Sequence, residues 1–177
     1  MNLKGALILA DPSLRDSNFS RSVILLTDHS NESGAHGYIL NRPLGKTVGE
    51  VLPSDDFPGI ASVPIFFGGP VDHEQLTFAS LEWDSEVSEI AIRTHLSTAI
   101  AGEQVARGAV VRAYVGYSGW ASGQLEAELQ QRAWITGKAS EIVMRREMID
   151  KLWADILRTM GPYYTLLAET PNDPSLN

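Results

Sequence analysis

The residues able to bind or react concentrate in three short stretches of the 177-residue chain. The first is Asn41-Arg42-Pro43, which sets a guanidinium at the end of an apolar strand and against a residue of fixed φ. A guanidinium on so rigid a base can hold a planar anion through two parallel hydrogen bonds. The protein's own Asp16 or Glu126 is the commoner kind of partner, so an internal ion pair competes with a ligand role. The second stretch is Gly68-Gly69-Pro70. The third runs from Gly116 to Glu128, with three glycines in its first eight residues and Trp120 among them. Glycines at this density let a backbone turn sharply or approach another group closely. The candidate ligand-binding set is therefore Asp16, Asn41, Arg42, Gly68, Gly69, Gly119, Trp120, Gln124 and Glu128. Gln124 and Glu126 lie two apart on a helix and do not share a face, so at most one of them lines a cleft beside Trp120.

No complete catalytic set accompanies these residues. Ser118 sits close to the Gly-x-Ser-x-Gly nucleophile elbow, but the large Trp120 stands where that elbow needs glycine. The four histidines, His29, His36, His73 and His95, contain no His-x-x-x-His or Glu-x-x-His pair. His29 and His36 flank a hairpin turn and could approach, which still leaves a metal site one ligand short. There is no phosphate loop and no dinucleotide fingerprint. The expectation is no catalytic residue, no metal and no cofactor, in a non-enzymatic binding or regulatory protein that meets a small ligand or a protein partner. The rival is an enzyme of hydrolase or transferase type, with Asp16, Arg42 and Glu126 or Glu128 as a carboxylate–guanidinium set. Neither the ligand nor the oligomeric state is named by the sequence.

The elements that must position these residues read as follows. Leu3–Ala10, Ser22–Thr27, Gly37–Asn41, Ile65–Phe67, Gln75–Ala79 and Val110–Val115 are strands, and the second and third form an antiparallel hairpin. The continuous apolar run of Val23–Leu26 predicts a strand covered on both faces. Pro43 ends the third strand, and Thr47 to Leu52 is a short helix with Thr47 and Glu50 as a capping box. Trp83 to Ile92 suits an exposed strand, Leu96 to Ala106 a helix, and Ile142–Met144 a last strand. After the glycine turn, Gln124 to Gln131 is a helix whose first N–H groups open toward that turn. Ile149, Leu152, Trp153, Ile156, Leu157 and Met160 make one apolar helical face, closed by Gly161 and Pro162. Hairpins early and helices late predict an α+β fold. It is one compact domain over residues 1–177, with a mixed or largely antiparallel sheet able to curl toward a barrel, helices packed against it, and a loosely held tail from about residue 170.

Composition bounds the partners. Net charge is −8, from 22 acids against 14 bases, which disfavours nucleic acid and anionic membrane surfaces. There is no cysteine, so disulfides and thiolate chemistry are excluded. No stretch approaches the roughly 20 apolar residues of a membrane helix, and the opening residues lack a signal-peptide pattern. A cytoplasmic, bacterial-type protein is expected.

Four blocks in order carry a further signal. Leu3-x-Gly5 leads into Ala10-x-Pro12-x-Leu14-x-Asp16-x-x-Phe19-x-Arg21-x-Val23, followed by Gly34-Ala35-His36-Gly37-Tyr38-Ile39-Leu40-Asn41-Arg42-Pro43. Phe67-Gly68-Gly69-Pro70-Val71 and Gly116-Tyr117-Ser118-Gly119-Trp120-x-x-Gly123-Gln124-Leu125-x-x-Glu128 complete the set, with Trp134 beyond. Together they resemble the AlgH/YqgE family. The resemblance implies a compact α+β domain without an established biochemical activity, and one member is linked to transcriptional control of alginate production. Direct DNA binding is not carried over, because this chain is acidic and lacks a basic recognition helix.

Overall fold

Two apolar runs decide the layering. Along Leu7–Ala10 (β1) and Val23–Ser30 (β2), successive side chains point to opposite faces of the sheet, and the apolar ones of both faces are buried. Leu7, Leu9, Val23 and Leu25 enter one core, while Ile8, Ala10, Ile24 and Leu26 enter another on the reverse face. The expectation of a strand covered on both sides therefore holds. The computed structural model describes residues 2–52, 57–144 and 146–171. Most of the predicted C-terminal tail and residues 53–56 lie outside these residues.

The remaining strands are Gly34–Ile39 (β3), Pro43–Thr47 (β4), Pro64–Phe67 (β5), Val71–Asp84 (β6), Glu89–Leu96 (β7), Val110–Trp120 (β8) and Trp134–Gly137 (β9). The helices are Val48–Val51 (α1), Thr98–Ala106 (α2), Gln124–Gln130 (α3), Leu152–Thr159 (α4) and Pro162–Ala168 (α5). The strands form one curled mixed sheet in the order β4-β5-β8-β3-β2-β1-β9, with β6 beside β8 and β7 beside β6. β8 is its hub. It runs parallel to β5 and antiparallel to β6 over its first half, and antiparallel to β3 at its end. α4 and α5 cover the core of β1, β2 and β3, α3 covers the reverse face, and α2 covers a third core with β5, β6 and β8. Among the described residues no helix is long and apolar enough to cross a membrane.

Several elements differ from the sequence reading. Pro43 does not end a strand; β3 stops at Ile39, and Pro43 opens the short, exposed β4. First position in an edge strand needs no ladder N–H, so proline is at home there. Ile142–Met144 is a 3₁₀ turn (Glu141–Met144), not a strand, and the last strand is β9, too short to show a period. Pro162 stops α4 and at once starts α5 as its first residue, where its missing N–H costs nothing. Glycines 116 and 119 make no turn. β8 continues through them to Trp120, and only Gly123, left-handed at φ 75°, begins α3. The Thr47/Glu50 box is present, with Glu50 Oε2 accepting from Thr47 N at 2.6 Å and from Thr47 Oγ1 at 2.9 Å.

The core carries a pH-dependent term. Tyr38 is buried, and burial, helped by the neighbouring phenols of Tyr114 and Tyr117, pushes its pKa from 10.0 up to about 12. The unfolded chain ionises first, so it binds fewer protons than the native state between these values. Stability therefore falls as pH rises from 10 to 12. Urea midpoints at pH 9 and pH 11 are expected to show this loss, and Tyr38→Phe is expected to reduce it. Equal pH dependence in the two proteins would contradict the assignment to Tyr38.

Candidate functional site: a two-arginine cavity

The signature stretches meet at the hub strand. Gly68 N donates to Val115 O at 2.8 Å, Ile39 N donates to Gly68 O at 3.0 Å, and the buried Ser118 hydroxyl donates to the same carbonyl at 3.1 Å. Gly69, at φ 150°, lies so close to β8 that a Cβ would overlap the Tyr117 carbonyl, and Gly116 lies equally close to Gly69 O. Gly68 and Gly69 are thus backbone crossings, and neither lines the cavities described below. Ser118 is engaged in holding strands together.

Trp120 and Glu128 are joined in a second closed arrangement. Trp120 and Trp134, both nearly buried, stand edge to face at 5.7 Å with Phe19 against both. One carboxylate oxygen, Glu128 Oε2, accepts both indole N–H groups, at 2.9 Å from Trp120 and 2.7 Å from Trp134. Gln124 donates to the other oxygen at 2.9 Å and accepts from Ala121 N at 3.0 Å, which secures the first turn of α3. Glu126 points elsewhere and pairs with the buried His29 at 2.9 Å. Leu3 N donates to the other ring nitrogen of His29, so the proton sits on Nε2 and is given to Glu126.

Arg42 is paired with neither expected acid. Asp16 caps its own loop by accepting from Asn18 N at 2.8 Å and Phe19 N at 3.2 Å. The Arg42 guanidinium instead donates to two backbone carbonyls, Asn41 O at 3.2 Å and, more closely, Ser20 O. The backbone carbonyl of Arg42 accepts from Phe67 N at 2.8 Å, tying the residue to β5. Asn41 is a positioning residue. Its side-chain oxygen accepts from Val23 N at 2.9 Å and its amide donates to Arg21 O at 2.9 Å, so one amide joins the start of β2 to the loop before it.

That loop carries the residue that sequence reasoning missed. Arg21 has a left-handed backbone, φ 54°, uncommon for a side chain of its size. Its guanidinium lies 4.9 Å over the Trp153 ring and donates closely to Thr170 O. Arg21 and Arg42 together line a cavity of about 390 Å³ with Ser20, Asn41, Asp150, Trp153 and Ala154. Among the described residues no carboxylate lies within ion-pair distance of either guanidinium. Burial lowers the Arg42 pKa, and no acid offsets it. An arginine stays protonated under such a shift, so the cavity presents two charges and their unused donors.

A second cavity of about 470 Å³ opens over the β3–β8 junction, beside Asp28, His36, Tyr117, Gly119 and Trp120. His36 stacks on Tyr117 at 4.3 Å, and its Nδ1 lies 2.9 Å from Thr27 Oγ1. Burial and His95 hold it below the ordinary imidazole pKa, against the pull of Asp28. His29 and His36 do not come together as ligands, because each is committed to other partners. A third arginine, Arg112, is wholly buried over Phe66 and donates to Leu40 O and Val143 O. It lines neither of these cavities.

With this geometry in hand the comparisons are specific. A sequence model of the AlgH-like family matches residues 7–165. The chain belongs to the AlgH-like family. A UPF0301 protein of Chlorobium limicola is 34% identical over 182 residues, covering 98% of this chain and 95% of the relative. UPF0301 protein SCO2948 of Streptomyces coelicolor is 34% identical over 188 residues, covering 99% and 96%. Among solved structures, the AlgH protein of Pseudomonas aeruginosa superposes with a TM-score of 0.65 at 28% identity, over 97% of this chain and 96% of that one. Protein DIP2367 of Corynebacterium diphtheriae reaches a TM-score of 0.72 at 23% identity, over 95% and 92%, a likeness of fold alone. The AlgH-like fold is thus a single α+β domain with a curled mixed sheet, as the order of elements predicts.

Proposed function

We propose that this protein binds a small organic anion in the Arg21–Arg42 cavity and acts as a cytoplasmic regulatory or carrier protein rather than an enzyme. The observation that carries the reading is the pair of guanidiniums beside one cavity, held by backbone carbonyls and, for Arg21, the Trp153 face, in a chain of net charge −8. Neither guanidinium has an acid within ion-pair distance among the described residues, and what sets these two arginines apart is that both line one cavity. The cavity has the volume of a small-molecule site, and Trp153 gives it an aromatic wall. The enzyme reading loses support because its acids are used elsewhere. Asp16 holds its loop, Glu126 holds His29, and Glu128 holds two indoles. The acidic surface favours regulation through a ligand or protein partner over contact with DNA.

The test is calorimetric titration with succinate and with inorganic phosphate at physiological salt, on the native protein and on Arg42→Gln. Arg42 is half-buried and donates to two carbonyls, of which glutamine can keep at most one or two weaker bonds, so the substitution is expected to cost about 1–3 kcal/mol of stability and leave the protein folded. Anion affinity is expected to fall at least tenfold. An Arg42→Gln protein that binds both anions as the native protein does would refute the reading.

A further inference from the structure

We propose that the occupant of the Arg21–Arg42 cavity is a dicarboxylic α-amino acid, an inference that rests on the anion-binding reading above. The remaining charged side chain of the cavity wall decides the class. Asp150 lies in the 3₁₀ turn Arg146–Lys151 that leads into α4, and its exposed carboxylate shares the wall with Arg21, Arg42 and Trp153. A phosphate dianion would meet the two guanidiniums and this carboxylate at once, and like charges side by side are a means of rejecting a ligand. A simple dicarboxylate would still pair with the two guanidiniums but meet the same repulsion, so it binds more weakly rather than not at all. An ammonium on the same skeleton turns the repulsion into an ion pair. Two carboxylates and one ammonium then match two guanidiniums and one carboxylate, charge for charge. Ser20 is also in the wall, and its carbonyl, already beside the Arg42 guanidinium, has a second lone pair that can accept an ammonium hydrogen. Arg21 is held over the Trp153 face and Arg42 between two carbonyls, so both cations are set before the ligand arrives.

Calorimetry on the full chain distinguishes the outcomes, with glutamate against glutarate, aspartate against succinate, and inorganic phosphate as the third probe. At least one amino acid is expected to bind tenfold or more tightly than its deaminated partner. Asp150→Asn is expected to remove that preference by weakening the amino acid while leaving the dicarboxylate as tight or tighter. Asp150 is exposed, so this variant is expected to fold normally. If the dicarboxylates or phosphate bind best, the inference fails and the anion-binding reading stands. A preference that survives Asp150→Asn overturns the role of Asp150. If no probe binds, both readings fail together.

Discussion

Gly69→Ala is expected to be the most damaging single substitution considered. The new Cβ would have to occupy the position of the Tyr117 carbonyl on the hub strand, and the residue would sit at φ 150°, where side chains are strained. Relief is blocked because Gly116 is packed just as closely against Gly69 O, while the neighbouring Gly68 is bonded to Val115 and Ile39. A backbone clash at the junction of β5, β8 and β3 cannot be confined to one loop. The cost is expected to exceed about 4 kcal/mol, or roughly 8–16 °C in melting temperature if the protein still folds. Gly45→Ala serves as control. It shares a positive φ (67°) on the exposed β4 but meets no atom within 4 Å, so a loss of about 1 kcal/mol is expected. Equal losses in the two variants would show that close approach at Gly69 is not what matters.

Glu128→Leu is expected to be nearly as severe, for a different reason. One carboxylate oxygen satisfies the indole N–H groups of two nearly buried tryptophans. Leucine leaves both donors without a partner, and each buried orphan costs about 1–3 kcal/mol, with the loss of a charged acceptor toward the upper end. A total of about 3–5 kcal/mol is expected in denaturant midpoints. Glu128→Gln keeps a carbonyl that can accept both bonds but turns an amide group toward Gln124, so about half that loss is expected. A leucine variant within 1 kcal/mol of native would mean that Glu128 does not hold the Trp120–Trp134 pair.

These two predictions also show what the sequence could and could not convey. The covered faces of Val23–Leu26 and the apolar side of the Ile149–Met160 stretch were legible because burial imposes a period on residue types. β9 was not, since four residues contain almost no period, and its strand state comes from pairing with β1. The glycines of the third motif look like a turn in sequence, yet Gly116 is there because Gly69 crosses it, a contact between positions 47 residues apart in the chain. For the same reason Glu128 reads as a site residue until its indole partners are placed. Arg42 stands out in the sequence for its rigid neighbours, but its partners are backbone carbonyls, which no residue type announces. Arg21 stands in the first motif block, but nothing in its type or spacing marks it as a neighbour of Arg42. Its φ of 54° and its place beside Arg42 depend on the Asn41 amide that ties its loop to β2.

The most direct test of the two-arginine cavity is an NMR titration that follows the arginine Nε–Hε resonances as succinate is added at physiological salt. Arg21 and Arg42 are expected to shift together along one saturating curve, while Arg15, Arg93, Arg107, Arg132 and Arg158 respond weakly and without saturation. Arg112, sealed in the core, is expected to stay still. Saturating shifts at the surface arginines with none at Arg21 and Arg42, or no saturable shift at any arginine, would contradict the account.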